Sequence, residues 1–282
     1  MEKTYVYRKH LREPAKFFLT LGLFFIIIYT VTSFVLVSNI EDTNKIMVAL
    51  IMLGTLVGIS IFLGLEFLFI YLTVYKRFKK INLTLTEDEI IYNNAKSEIR
   101  IPYENIKALK FSSIKYTGGW LKIVYPNGNV RLTVVLENIG DMVENLKKKL
   151  DERNMSDVYK EKPMYNFFKT SKYSDQSFER IYENIKCMLI LISINLGIGA
   201  ILSGFITEIP FKIFVLIASV SGFFIPFMIS EVIFGRKLAK GALQEEFLVP
   251  DRDKAFEKKI NKWAFGIYIA IYYLAVIIIL FN

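Results

Sequence analysis

The sequence contains a single cysteine, Cys187, and a single histidine, His10. One thiol cannot build a disulfide framework, and one residue of each kind cannot complete a Cys/His zinc site or a catalytic pair that relies on a second His. Charge is also scarce: 22% of residues are charged and 53% are hydrophobic, giving a mean hydropathy of +0.37. Such a composition excludes an ordinary soluble domain. The chain carries no P-loop, no dinucleotide glycine fingerprint, no GxSxG elbow and no HExxH motif, so no enzyme chemistry and no cofactor is expected.

What is present is a set of long apolar runs. A helix needs about 20 apolar residues to cross a hydrocarbon core. Five stretches meet that length: Phe17 to Ser38, Ile46 to Val74, Cys187 to Ile206, Ile213 to Phe234 and Ala264 to Phe281. The first is longer than a signal-peptide core and is expected to stay as an anchor. The net charge of +9 is concentrated between these runs: residues 1–16, 75–186 and 235–263 hold 34 of the 36 Lys and Arg residues. The positive-inside rule therefore predicts a cell-membrane protein with its N-terminus in the cytoplasm and Asn282 outside. Basic clusters flank the spans, notably Lys76, Arg77, Arg236 and Lys237, with Trp263 beside the last one. They are expected to anchor the chain at an anionic inner leaflet, and no nucleic-acid footprint is expected. Residues 1–16 are expected to form a basic N-terminus.

The polar block between the second and third spans is strand-like. Ile81–Thr86 alternates as I-N-L-T-L-T, Glu89–Tyr92 and Glu98–Ile101 follow turns, Ile106–Phe111 comes next, and Pro126-Asn127-Gly128-Asn129 joins Trp120–Tyr125 to Val130–Val135. These six short strands predict a bent antiparallel sheet or partial barrel. Ile139, Met142, Val143, Leu146 and Leu150 then share one helical face, with Asn138 at the N-cap position and Lys147 to Lys149 late in the helix. Expectation is thus α+β for this insert, within a multi-pass α-helical membrane protein.

The runs L-T-E-D-E-I-I-Y and I-P-Y-E-N-I-K-A-L, the glycine-preceded W-L-K-I-V-Y and the closing helix resemble bacterial pleckstrin-homology-like (PH-like) domains tethered to membrane helices. The resemblance covers residues 80–153. It implies a seven-stranded fold, with the seventh strand in Ser112–Thr117 or a different closure, and a binding or scaffolding role at the membrane. Proteins of this look include some that protect producing cells from membrane-active bacteriocins, so the implied settings are envelope stress and bacteriocin self-protection. A protein partner is implied as well. Lipid-binding PH domains carry basic residues around their first hairpin. Here the turn Glu87-Asp88-Glu89 repels phosphate, so no inositol-phosphate site is assigned.

Residues 154–186 mix Tyr165, Phe167, Phe168 and Tyr173 with lysines, the pattern of a segment lying in the membrane interface. A second basic amphipathic segment is expected at 235–263. Within the spans only Glu66 and Glu231 are charged. Buried carboxylates in a bilayer are costly and usually functional. Together with Asn195 they make a candidate polar cluster, from which a small channel or transporter subunit is the alternative function. Both glutamates lie close to the expected inner interface, which also suits plain boundary residues. Gly54-x-x-x-Gly58 and the Gly199/Ser203 pair place small residues at the spacing of close helix contacts, within one chain or in a homo-oligomer.

Overall fold

A computed structural model describes residues 2–38, 42–114 and 118–281. The chain begins with strand β1 (Lys3–Val6) and one helical turn, α1 (Lys9–Arg12). Helices α2 (Pro14–Ser38) and α3 (Asp42–Ile70) follow, and a π-helical turn at Tyr71–Tyr75 leads into the short α4 (Lys76–Phe78). Six strands come next: β2 (Ile81–Leu85), β3 (Glu89–Asn94), β4 (Glu98–Pro102), β5 (Ala108–Ile114), β6 (Gly118–Tyr125) and β7 (Gly128–Thr133). Four helices complete the chain: α5 (Ile139–Glu152), α6 (Glu161–Gly204), α7 (Ile209–Gly241) and α8 (Lys254–Phe281).

Two compact units result. One comprises Met1–Pro14, Ile70–Tyr182 and Phe234–Arg252, and the other Ala15–Phe69, Glu183–Ile233 and Asp253–Asn282. In the first, β1 to β4 form a four-stranded antiparallel sheet in sequence order, and β5 to β7 form a three-stranded one. All six expected strands are present. Of the expected Ser112–Thr117, Ser112 to Ile114 continue β5, and residues 115–117 lie outside the described residues. The additional strand is β1, which pairs Lys3 with Leu85 and Val6 with Asn82. The first sixteen residues are therefore more than a basic tail. Period-2 alternation orients the sheets, with Leu83, Leu85, Ile90, Ile101, Leu121, Ile123, Val130 and Leu132 all buried. Tyr125 pairs directly with Gly128, and the glycine's φ of 151° suits a position where a side chain would be strained.

Helix α5 buries Ile139, Met142, Val143, Leu146 and Leu150 in the core shared by both sheets, the face read from its 3.6-residue period. Asn138 does precede the helix, but it adopts φ 55° and its side chain makes no capping bond. Phe167 and Phe168 are fully buried in the same core, joined by Met164, Tyr165 and Tyr173. The interface-lying segment expected at 154–186 is corrected accordingly. Its aromatic stripe packs on protein, because an apolar helical face fits a hydrophobic core and a bilayer boundary equally well. The second expected interfacial segment also contributes to this core. Leu243 and Leu248 bridge across a tight turn, which places the Phe247 ring on Phe168 with centroids 4.5 Å apart.

The second unit is helical. Four helices, Pro14–Phe34, Asn44–Phe78, Glu161–Gly204 and Lys254–Phe281, are long and apolar enough to cross a membrane, and the bent pair Pro210–Ser219 and Phe224–Gly241 offers a further one. At 44 residues, α6 is about 66 Å long, more than twice a hydrocarbon core. Its first part belongs to the sheet unit and its apolar remainder to the helical one. Phe24, Met188 and Ile192 pack with Phe227 and Phe265, joining α2, α6, α7 and α8. Helix α3 is largely exposed, with Leu50, Val57, Phe62 and Phe69 each more than half exposed. Phe18 meets Phe67 at 4.5 Å between centroids, and Tyr29 donates to the Met52 carbonyl at 3.0 Å. Asn282, expected on the outer side, lies outside the described residues, as do residues 39–41 of the first connector.

Tyr5 is 3% exposed and anchors β1 in the core. Tyr5→Ala should cost about 3–5 kcal/mol, as other large aromatic truncations do. Thr4→Ala, on the exposed side of the same strand, should change stability by less than about 0.5 kcal/mol. Denaturant unfolding of the purified protein checks both.

Candidate functional site

Within the expected cluster of Glu66, Asn195 and Glu231, Asn195 lies away from Glu231. Glu66 is exposed on α3, a helix with none of its apolar window buried. Glu231 is buried on α7, at 8% exposure. Asn195 on α6 donates to the backbone carbonyl of Ser219 at 2.8 Å, and Ser219 lies twelve residues before Glu231 on α7. At 1.5 Å per residue that is about 18 Å along the helix, so Asn195 and Glu231 act at different levels.

Asn195 instead belongs to a polar network that the sequence reading missed. Ser219 Oγ lies 2.7 Å from the Tyr272 hydroxyl and donates to the Val215 carbonyl at 2.7 Å. Tyr268, one turn before Tyr272, donates to the Ala218 carbonyl at 2.6 Å. These bonds tie α6, α7 and α8 together, and the Asn195 amide N–H and the Ser219, Tyr268 and Tyr272 hydroxyls all find partners within the helices, the arrangement of interhelical glue. Glycine makes the approach possible: a Cβ on Gly199 would collide with Ser219 Oγ, and one on Gly222 would lie 2.5 Å from Asn195 Nδ2. The Gly54-x-x-x-Gly58 face, by contrast, has nothing within 4 Å of either added Cβ. The Tyr268/Tyr272 spacing of four residues was the available signal, but it is also that of an ordinary apolar stripe.

The expected membrane anchors Lys76, Arg77, Arg236, Lys237 and Trp263 are all exposed. Trp263 reaches 62% exposure. Among the described residues, no three His, Cys, Asp or Glu side chains are grouped as a metal site requires.

In the sheet unit, charge is used for assembly. The Arg8 guanidinium meets Asp175 Oδ1 at 2.6 Å, and both side chains are largely buried. Arg8 also donates to the Val134 carbonyl at 3.2 Å, and its guanidinium lies over the Phe178 ring at 4.1 Å. Asp175 Oδ2 accepts from the backbone N–H of Gly140 at 3.0 Å. Asp175 thus satisfies one of the free donors at the start of α5, the task Asn138 does not perform. Burial raises the Asp175 pKa, and this outweighs the lowering by the Arg8 charge and the Gly140 hydrogen bond. Asp141 is shifted the other way. Burial acts to raise its pKa, but the hydrogen bonds from Lys3 and Tyr5 together with the Lys3 charge bring it below the ordinary value. No spacing rule links Arg8 to Asp175, which are 167 residues apart.

No protein-family model, curated protein or solved structure matches the chain.

The two carboxylates should act on the acid limb of stability in opposite senses. Asp141, with a depressed folded pKa, stabilises above its unfolded pKa, and that contribution is lost as pH falls through the folded value. Asp175, with a raised folded pKa, contributes most below its unfolded pKa and loses that contribution as pH rises through the folded value. Relative to the unmodified protein, Asp141→Asn should lose less stability on acidification and Asp175→Asn should lose more, read by denaturant midpoints across the acidic range. In the helical unit, Gly222→Val should cost about 1–3 kcal/mol through overpacking. Gly54→Val should leave thermal stability unchanged in dilute detergent.

Proposed function

We propose that this chain is a non-enzymatic integral membrane protein that uses a cytoplasmic PH-like domain as a binding or scaffolding module at the membrane. In this reading five helices cross the bilayer, the N-terminus is cytoplasmic and the C-terminus is extracytoplasmic. The observation that carries it is the pairing of a four-stranded and a three-stranded antiparallel sheet, closed by one amphipathic helix after the last strand. Seven strands and a closing helix are what the PH-like resemblance calls for. The placement of 34 of 36 basic residues in the three segments assigned to the cytoplasm supports the orientation.

The organisation of the sheet unit also favours a module over a transporter. Its buried ion pair, Arg8 with Asp175, holds the unit together, and in the helical unit Asn195, Ser219 and Tyr272 bond within the helices. Asn195, at a level apart from Glu231, is spent on that network.

Asn127 is exposed at the β6–β7 turn, and Cys187, the native cysteine, is itself exposed. Asn127→Cys in a Cys187→Ser background should therefore react with a membrane-impermeant thiol reagent only after cells are opened. Reaction in intact cells would overturn the orientation. Affinity capture by the detergent-solubilised protein should yield partners that are lost when residues 80–153 are removed. An unchanged partner set would end the binding-module reading.

A further inference from the structure

The outer face of the three-stranded sheet presents an ordered row of cations. Lys110 on β5 pairs in register with Lys122 on β6, and Lys122 pairs with Arg131 on β7. Their neighbours Leu109, Leu121, Ile123, Val130 and Leu132 point inward and are buried, so alternation turns all three charges to the outside. The adjacent row on the same face is Ser112, Trp120 and Thr133, again in direct register. The Arg131 guanidinium lies over the Trp120 ring at 4.8 Å. Among the described residues, no carboxylate forms an ion pair with Lys110, Lys122 or Arg131.

Like charges directly opposite one another weaken a sheet, because cross-strand side chains stand only about 5 Å apart. Several other cations of this unit have partners: Arg100 meets Glu89 and Glu98, Lys149 meets Glu87, and Arg12 meets Glu137. The Lys110–Lys122–Arg131 row is thus a positive strip beside an indole and the Ser112 hydroxyl, while the Thr133 hydroxyl is hydrogen-bonded to Tyr7. Those groups match an array of phosphate headgroups: cations for the charge, a hydroxyl as donor, and an amphipathic ring suited to the interfacial zone.

We infer that this face, formed by Lys110, Lys122, Arg131 and Trp120, docks on the acidic phospholipid headgroups of the bilayer that holds the chain. The inference rests on the membrane-module reading and gives that module a lipid surface as its partner. It differs from an inositol-phosphate pocket in using the flat of β5–β7 and leaving the acidic Glu87-Asp88-Glu89 turn unused. Chain length favours the host bilayer as the occupant: only Lys79 and Lys80 separate α4 from β2, and so short a tether gives headgroups a high effective concentration.

The test uses the full chain in nanodiscs, with Trp263→Phe leaving Trp120 as the sole indole. With roughly one-third acidic lipid, headgroup-labelled quenchers should reduce Trp120 emission, and neutral nanodiscs should show no quenching. High salt should abolish the effect. Each cation near an anionic surface is worth roughly fivefold in binding, so Lys110→Gln, Lys122→Gln and Arg131→Gln together should weaken docking by about a hundredfold. Circular dichroism of the triple variant checks that the sheet is intact. Equal Trp120 exposure to a soluble quencher in acidic and neutral nanodiscs overturns the inference. So does a response to added polyglutamate without any response to lipid, which assigns the face to an acidic protein. Partner capture that survives such a result leaves the binding module standing without its lipid face.

Discussion

Four residues at the N-terminus govern how the rest of the chain is arranged. The ladder between β1 and β2 joins segments separated by α2, α3 and the π-turn, so a β-hairpin here has two long apolar helices as its loop. Closing so long a connection is entropically costly, though the cost grows only slowly with length. Backbone bonds and the burial of Tyr5 oppose it. Arg8 extends the same grip beyond the strand by joining Asp175, and Asp175 reaches the first turn of α5. Strand, helix and the base of α6 are consequently tied at one buried ion pair, whose members would each be costly alone.

Much of the architecture was legible from local pattern. Strands β2 to β7 followed from alternation and turn residues, and α5 from its apolar face, because these signals are created by neighbours a few residues apart. Strand β1 was not legible. Lys-Thr-Tyr-Val is short, stands among basic residues and acquires its meaning only from a partner about eighty positions later. Phe167 and Phe168 were seen but misplaced, since periodicity reports that a face is apolar and is silent on whether protein or lipid covers it. The 44-residue α6 contains both answers in one helix, protein-covered at its start and apolar enough for a membrane toward its end.

The candidate site shows the same division. Glu66, Asn195 and Glu231 were identifiable as unusual in apolar surroundings, but their convergence depended on helix rotation and level, which spacing from a span end does not fix. Asn195 found a backbone carbonyl, and the glycines that allow this contact look like the unpartnered glycines of α3. Identical small-residue spacing serves a tight junction in α6 and meets only open space in α3. The difference lies in the opposing helix, not in the motif.

Backbone pairing has a further consequence, one of parity. Two residues that share a hydrogen bond must lie on the same side of a membrane, so the chain between β1 and β2 crosses an even number of times. The same arithmetic applies between Tyr165 and Leu248, whose hydroxyl and carbonyl meet at 3.1 Å. If α6 crosses, the bent α7 must cross back, and a re-entrant dip would leave Leu248 stranded on the far side.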